Sequence, residues 1–397
     1  MQQAVISVAA LTDIGRRRRT NQDSWLAERG VYMVCDGMGG ESGGERASAI
    51  AVEDLAQLAR EASRTRASIE ETLERAQSRT RALGLTLGGI AGTTVTGVVL
   101  PQWFAAPGGS AGAADRGVAD GSEDEDVATA DELECGRADG ATHFADAHRK
   151  PTTTHHPKHS AQYNAIATLG AIDELRPLSG FGDDWDATQP GTDLGGGTDT
   201  ARFGEHRADV APDAWSIAIR QLLPDAEPHM CYVVNVGDSR TYHMSPDTDG
   251  HWDAASLTQI THDHSRRQEA IESGEMTPEE AERSIARNVI TQCVGSPMGI
   301  RPDFFMADAA GRFIICSDGC HGEIDDATIA HVAAQHDTAD AAAHALIDAS
   351  LEAGGGDNVT VIVVDMPWDA ERTEAWHCER LEVDEDLSDI DDTTLQT

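Results

Sequence analysis

The chain has 397 residues, of which 69 are Asp or Glu and 30 are Lys or Arg, so its formal net charge is −39. Such acidity argues against nucleic-acid binding, which needs basic side chains for the phosphates, and against docking on anionic lipid. No run of 18 apolar residues is present to span a bilayer. Seven scattered cysteines without a C-x-x-C pair predict reduced thiols, and therefore a cytoplasmic protein.

Hydrophobic patterning predicts short strands that alternate with helices. The predicted strands are residues 5–11, 31–35, 93–100, 231–236, 241–244, 313–316 and 359–364. The predicted helices are residues 43–61, 68–83, 266–273, 277–286, 326–335 and 338–353, and residues 217–223 also show a helical apolar pattern. Because many strands are joined by tight turns, antiparallel sheets with helices outside them are favoured. A Gly-Asp-Ser turn between residues 231–236 and 241–244 could close a hairpin.

Acidic residues are concentrated in two segments. Residues 104–215 contain 21 Asp and Glu against 8 Lys and Arg, and residues 366–397 contain 11 against 2. The first segment is also rich in Gly, Ala, Thr and Ser, which predicts a mostly flexible insertion in a surface loop. We therefore expect one domain formed by residues 1–103 and 216–366, followed by an acidic tail at 367–397.

Three interpretations of the insertion stay open. It could be polar filler, or a docking surface for basic partners. It could also bind a transition metal through its histidines, which include His148, His155, His156 and His159.

Aspartates recur where an apolar strand meets a glycine-rich turn. These aspartates are Asp36, Asp238, Asp318 and Asp357, and Asp23 lies shortly before the strand that ends at Cys35. Any single case is explained by a turn. A turn does not explain the recurrence, because a carboxylate at the end of a buried strand is costly unless a cation meets it.

Oxygen donors without paired His or Cys favour Mg²⁺ or Mn²⁺. Two such ions that share a carboxylate can activate a water and stabilise a phosphoryl transition state. An arginine nearby can hold the phosphate.

A series of motifs runs along the chain. It comprises R-x-x-N-Q-D (Arg18 to Asp23), D-G-M-G-G with G-E-x-A-S (Asp36 to Ser48), G-T-T (Gly92 to Thr94), G-D-S-R (Gly237 to Arg240), T-x-D-H-S (Thr261 to Ser265), S-D-G (Ser317 to Gly319) and G-x-D-N-V-T (Gly355 to Thr360). As a set and in this order, they resemble the metal-dependent Ser/Thr protein phosphatases of the protein phosphatase 2C type (PPM family), in their bacterial form. The resemblance implies an α+β fold, an α-β-β-α sandwich in which two central antiparallel sheets are flanked by helices.

The resemblance also implies a centre of two Mg²⁺ or Mn²⁺ ions at one end of the sandwich. Asp36 would bridge both ions, and the Gly37 carbonyl would bind one of them. Asp318 and Asp357 would complete the other. Asp238, together with Asp318, could hold a weaker third ion, or it could be a turn residue.

Further roles follow from the same resemblance. Arg18 would bind the substrate phosphate. Asp23 would belong to the metal site and act as a catalytic residue, because it would orient metal-bound water. Residues 262–286 would form a mobile flap beside the site. Structural support is implied for Gly92, Thr93, Ser265 and Asn358.

The chain departs from the family pattern at three positions. Gln22 stands where many relatives have Glu, which could weaken the affinity for one ion. Met38 stands where eukaryotic members have a histidine proposed as general acid, so the proton donor is open between His264 and a water. Glu41 stands where bacterial relatives often have histidine.

The activity implied is hydrolysis of phosphoserine and phosphothreonine by a water activated between two ions. The implied partners are phosphorylated proteins, substrates of a Ser/Thr kinase, and we expect a monomer without nucleic-acid or membrane partners. Two alternatives are a catalytically weak signalling or binding module and hydrolysis of a small phosphoester. Cys35 lacks the C-x5-R phosphate loop, which argues against a thiol phosphatase.

Overall fold

The computed structural model describes residues 5–39, 43–103, 215–222, 230–383 and 385–387. The expectations for the insertion at residues 104–214 and for Glu41 lie outside these residues. The strands are β1 Val5–Asp13, β2 Ser24–Glu28, β3 Val31–Cys35, β4 Gly37–Met38, β5 Gly92–Thr93, β6 Val95–Val99, β7 Trp215–Leu222, β8 Met230–Val236, β9 Arg240–Met244, β10 Thr258–Gln259, β11 Asp303–Asp308, β12 Gly311–Cys316, β13 Val359–Met366 and β14 Cys378–Arg380. The helices are α1 Gly43–Leu58, α2 Arg66–Leu87, α3 Arg266–Glu272, α4 Pro278–Ser284, α5 Asp318–His321, α6 Asp326–Ala334 and α7 Ala339–Ala353.

Two six-stranded antiparallel sheets form the centre of the described fold. The first has the strand order β10-β9-β12-β13-β1-β7, and the second has the order β14-β11-β8-β6-β3-β2. Strands β4 and β5 form a small separate pair beside them. The predicted antiparallel pairing is therefore confirmed.

Side chains on opposite faces of each strand go to different layers of the core, as the two-residue period of a strand requires. In β3, Tyr32 and Val34 point into the layer between the sheets, where they join Phe313 and Ile362 of the other sheet. Met33, on the opposite face of β3, packs with α1 and α2. Helices α6 and α7 cover the first sheet in the same way. The α-β-β-α sandwich expected from the resemblance is confirmed.

Strands β8 and β9 do not form the hairpin suggested by the Gly-Asp-Ser turn. β8 pairs with β6 and β11, whereas β9 pairs with β10 and β12 in the other sheet. The turn carries the chain from one sheet to the other. Gly237 adopts φ +115° there, and a Cβ at this residue would lie 2.5 Å from the Thr94 side chain. Two short strands around a glycine turn fit both topologies, so local sequence could not separate them.

The helical interpretation of residues 217–223 was wrong, because the chain forms strand β7 there. β7 pairs antiparallel with β1, with Ile217 opposite Ala10 and Ile219 opposite Val8. Trp215, Ile217 and Ile219 alternate with other residues at a period of two, which is the strand period. Helical spacing was inferred from a window too short to distinguish the two periods.

Part of the predicted tail packs on the domain. β14 pairs with β11 at the edge of the second sheet, and Leu381 is buried in the core under α1 and α2. Trp376 stacks on His243 with ring centroids 3.6 Å apart. The predicted domain boundary at residue 366 stays a prediction. None of the described helices is long and apolar enough to cross a membrane.

Candidate active site

The predicted aspartates lie at one end of the sandwich, because antiparallel pairing brings strand starts and strand ends together. Ser24 pairs with Cys35, so Asp23 and Asp36 adjoin the same pair of residues in the second sheet. Cys316 pairs with Val361, so Asp318 and Asp357 lie just beyond the same end of the first sheet. Asp238 follows the end of β8. The negative charges of the other four aspartates all act on Asp36 and help to raise its pKa.

The loop at Asp36 is held by two threonines of the G-T-T motif. The Asp36 carbonyl accepts hydrogen bonds from Thr94 N at 2.8 Å and Thr93 Oγ1 at 2.9 Å, and Asp36 N donates to Thr94 Oγ1. Gly37 has no room for a side chain, because a Cβ would lie 2.3 Å from the Gly44 carbonyl oxygen. At Gly92, a Cβ would lie 3.0 Å from Cys293 Sγ. The support roles of Gly92 and Thr93 stay predictions.

A second glycine brings the Asp318 and Asp357 loops together. Asp318 begins the short helix α5, directly after β12, and Gly319 follows it. A Cβ on Gly319 would lie 2.0 Å from the Asn358 carbonyl oxygen. Only glycine allows this approach without a shift of the backbone.

Asp23 is the most deeply buried carboxylate of the cluster, with 1% of its surface exposed. Its Oδ2 accepts hydrogen bonds from Thr360 Oγ1 at 2.7 Å and Ser317 Oγ at 2.8 Å. Burial raises the pKa of Asp23 to about 7, against the opposing effect of the two hydroxyls. Neither hydroxyl was assigned a role from the sequence, although both stand in quoted motifs.

Arg18 lies beside the cluster, as its spacing from Asp23 predicted. Its Nη2 donates to Asp357 Oδ2 at 2.5 Å, and half of its side chain is exposed. Asn358 fixes the loop that carries Arg18, since Asn358 Nδ2 donates to the carbonyls of Ile14 and Thr20 at 2.9 and 3.0 Å. The support role predicted for Asn358 therefore has a physical basis in this loop.

The described side chains around the five aspartates do not supply enough positive charge to balance the negative charge of the cluster. Burial and the neighbouring carboxylates raise the pKa of Asp36 and Asp318, and burial raises that of Asp238 to about 8. Asp238 Oδ1 is buried without a hydrogen-bond partner. Such a donor set, all oxygen, fits hard divalent cations.

The side chains are not arranged as a preformed ligand shell. Across the described residues, no three His, Cys, Asp or Glu side chains converge into a group that could hold a metal. Asp357 instead engages Arg18. The residue types and their mutual repulsion fit a cation site, and the individual metal-ligand roles stay predictions.

The flap residues have mainly structural contacts. Ser265 accepts from Gln268 N and thereby caps α3, and its support role at the site stays a prediction. His264 Nδ1 accepts from Gly237 N at 3.1 Å, and Nε2 faces Asp303 Oδ2 at 3.3 Å. Both ring nitrogens are thus occupied, which argues against His264 as the proton donor.

Arg287 is a residue near the site that the motifs did not reveal. Its guanidinium donates to the Gly322 carbonyl, just after α5, and its positive charge counteracts the raised pKa of Asp318. Arg287 ties the end of the flap region to the helix that begins at Asp318. It lies in no motif, and only the folded chain brings it here.

Known proteins were compared with the chain by sequence. No family model matches it. Serine/threonine protein phosphatase PstP of Mycobacterium tuberculosis is 37% identical over 136 residues, which are 34% of this chain and 24% of that protein. Protein phosphatase PhpP of Streptococcus pneumoniae is 34% identical over 110 residues, 27% of this chain and 45% of that protein. The chain thus spans less than half the length of these curated relatives.

Solved structures extend the likeness over the fold. A crystal structure of M. tuberculosis PstP superposes with a TM-score of 0.54 at 22% identity, covering 92% of this chain and 100% of that one. The catalytic domain of PstP in complex with two manganese ions has a TM-score of 0.51 at 20% identity, with the same coverage. At such identities these structures establish the fold.

Part of the sequence is thus similar to bacterial serine/threonine protein phosphatases, and the fold is the one that the PstP structure has. Within this comparison, the chain is similar to bacterial protein phosphatases, PstP and PhpP by sequence and PstP by fold.

Proposed function

We propose that the protein is a Ser/Thr protein phosphatase that hydrolyses phosphoserine and phosphothreonine in proteins. The observation that carries this proposal is that four aspartates from loops of both sheets act electrostatically on Asp36, while Arg18 pairs with one of them, Asp357. Asp36, the Gly37 carbonyl, Asp318 and Asp357 would hold two Mg²⁺ or Mn²⁺ ions, with Asp238 available to a weaker third. Such ions supply a nucleophilic water at neutral pH and neutralise the phosphoryl oxygens.

The remaining roles belong to the chain itself. Arg18 can bind two phosphate oxygens with its planar guanidinium and so orient the phosphorus for in-line attack. Asp23 would orient the attacking water with Oδ1, because Oδ2 is taken by Ser317 and Thr360. Neither role requires a cysteine nucleophile, and Cys35 is fully buried.

The substrates would be phosphoproteins, products of a Ser/Thr kinase, and the protein would act as a monomer in the cytoplasm. The cysteines of the described residues are all free thiols, which supports a reducing compartment. A catalytically weak signalling or binding module is the alternative. It has less support, since the aspartates expected at the metal site are all present and clustered.

The test is turnover of p-nitrophenyl phosphate and of a phosphothreonine peptide with Mn²⁺, repeated with EDTA. We expect activity with Mn²⁺ and none with EDTA. Asp36→Asn should lower the rate by about a thousandfold, a size typical for loss of one group that stabilises a transition state. Asp337→Asn, away from the cluster, is the matched control. Equal rates for Asp36→Asn and the unaltered protein would contradict the proposal.

A further inference from the structure

The loop that carries Arg18 presents four arginines in succession, at residues 16–19, beside the carboxylate cluster. All four side chains are exposed. Arg18 pairs with Asp357, whereas the side chains of Arg16, Arg17 and Arg19 make no ion pair or hydrogen bond with any described residue. Three positive charges therefore stand next to the candidate phosphate site without partners inside the described fold.

Consecutive unpaired arginines stand out in so acidic a chain. Acidic side chains outnumber basic ones by 69 to 30, and several arginines elsewhere in the described residues pair with carboxylates. Examples are Arg75 with Asp54, Arg240 with Asp263, Arg312 with Asp365 and Arg380 with Asp303. A short basic run is ordinarily a solvated surface, but adjacent guanidinium groups repel one another and attract an anion. Their position beside Arg18 is what distinguishes this run.

The backbone of the arginine loop is fixed before any ligand binds. The Asn358 side chain donates to the carbonyls of Ile14 and Thr20 at its two ends, and Arg16 N donates to the Gly355 carbonyl at 2.7 Å. Gly15 has φ +75°, and a Cβ there would lie 2.0 Å from the Asp357 carbonyl oxygen. A preorganised loop loses little conformational entropy when it binds a partner.

We propose that Arg16, Arg17 and Arg19 form an accessory site for a second oxyanion on the substrate, close to the phosphorylated residue. The proposal rests on the phosphatase function and names its substrate class: phosphoproteins with acidic or additionally phosphorylated residues near the target. Adjacent Cα atoms are about 3.8 Å apart, and an extended peptide advances about 3.3 Å per residue. An anion one to three residues from the phosphate on Arg18 therefore reaches the neighbouring arginines.

The shared chemistry is arginine with an oxyanion, since guanidinium binds carboxylate and phosphate in the same two-pronged manner. The experiment separates these sources with three phosphothreonine peptides. They are identical except for neutral neighbours, glutamate neighbours, or a second phosphothreonine two residues away. Both kcat/KM with Mn²⁺ and binding by fluorescence anisotropy are measured on the full chain.

The decisive variant is Arg17→Gln with Arg19→Gln, which leaves Arg18 and the pinned backbone unchanged. We expect kcat/KM and affinity for the two anionic peptides to fall by about tenfold, as for loss of two exposed ion pairs. The neutral peptide should be unaffected. Raised salt should remove the preference in the unaltered protein. Loss for only one anionic peptide would also support the site and would identify the oxyanion it prefers.

A matched control keeps the net charge equal. Arg29→Gln with Arg60→Gln removes two positive charges, one in the β2–β3 turn and one beyond the end of α1, each about 20 Å along its element from the site. The accessory site is refuted if both double variants lose affinity equally, or if all three peptides behave alike. Absence of metal-dependent turnover on every peptide would contradict the phosphatase function, and the binding measurement would still decide on the arginines.

Discussion

A small network of hydroxyl groups holds Asp23 in place. Thr360 Oγ1 contacts both Asp23 Oδ2 and, at 2.8 Å, Thr12 Oγ1, which in turn accepts from Asn21 Nδ2. All members of this network are buried. Hydrogen bonds to a buried carboxylate are among the stronger ones, because the charge has little other solvation.

Thr360→Val should test that network. The variant keeps the shape of the side chain but leaves Asp23 and Thr12 without one partner each, so the free energy of unfolding should fall by about 1–3 kcal/mol. Urea denaturation measures the change. Thr86→Val removes a hydroxyl from an exposed part of α2 and should change little. Equal stability of the two variants would show that the network contributes nothing.

His243 makes stability depend on pH. It is 1% exposed and stacks on Trp376, and the Ala310 carbonyl, which can only accept, fixes its proton on Nε2 at 2.8 Å. Burial lowers its pKa to about 3, and Arg372, itself paired with Asp308, adds to this effect. An unfolded histidine binds a proton near pH 6.5. His243 therefore stabilises the fold above pH 6.5, and this stability is lost as the pH falls from 6.5 towards 3.

His243→Gln should reduce the loss of stability on acidification. Between pH 6.5 and 5, the contribution of His243 declines by about 2 kcal/mol. Every other titrating group, including His321, whose pKa is also lowered by burial, is present in both proteins and cancels in the comparison. Denaturation curves at pH 7.5, 6 and 5 provide the measurement. Parallel stability profiles of the two proteins would contradict this account.

Among the elements, the contact of the α5 start with the loop before β13 builds the site. Gly319→Ala should force the two loops apart, because its Cβ would meet the Asn358 carbonyl oxygen. We expect a loss of about 1–3 kcal/mol in stability and a sharp fall in metal-dependent turnover. Gly89→Ala, whose Cβ would meet nothing within 4 Å, is the control. A fully active and stable Gly319→Ala variant would refute the close approach.

Much of this element arrangement was predictable from local sequence. Asp36 and Asp318 each follow an apolar strand and precede a glycine, so their position at a sheet edge follows from the pattern alone. The sheet to which β9 belongs cannot be predicted from the local pattern, because its partner strand β12 lies about 70 residues further along the chain. Arg287 was missed for the same reason: only tertiary contact relates it to Asp318.

For the molecule as a whole, the segment after β13 is part of the core. Arg66 N donates to Asp386 Oδ2 at 2.8 Å, and Tyr232 Oη donates to Asp386 Oδ1 at 2.7 Å. These two bonds fix the segment to the start of α2 and to β8. Acidic composition alone predicts a tail outside the domain. The sparse apolar residues Trp376 and Leu381 were the sequence signal to the contrary.

Leu381→Ala should therefore destabilise the whole domain. The side chain is 7% exposed and packs in the core beneath α1 and α2, so its truncation should cost about 2–4 kcal/mol. Val383→Ala, at a side chain that is 80% exposed, should stay within about 0.5 kcal/mol of the unaltered protein. The measurement is the midpoint temperature of thermal unfolding of each of the two variants. A Leu381→Ala midpoint equal to that of Val383→Ala would mean that the segment is not part of the core.

The pairing of β1 with β13 has a consequence for synthesis on the ribosome. Ser7 lies opposite Asp365, so more than 350 residues must be made after β1 before this strand finds its partner. Contacts so distant in sequence close slowly and leave apolar edges exposed in the meantime. The site loops at residues 14–22 and 355–358 join in the same late event. A nascent chain should thus gain its active site only after residues 355–358 have been made, which makes activity of a shorter nascent chain physically difficult.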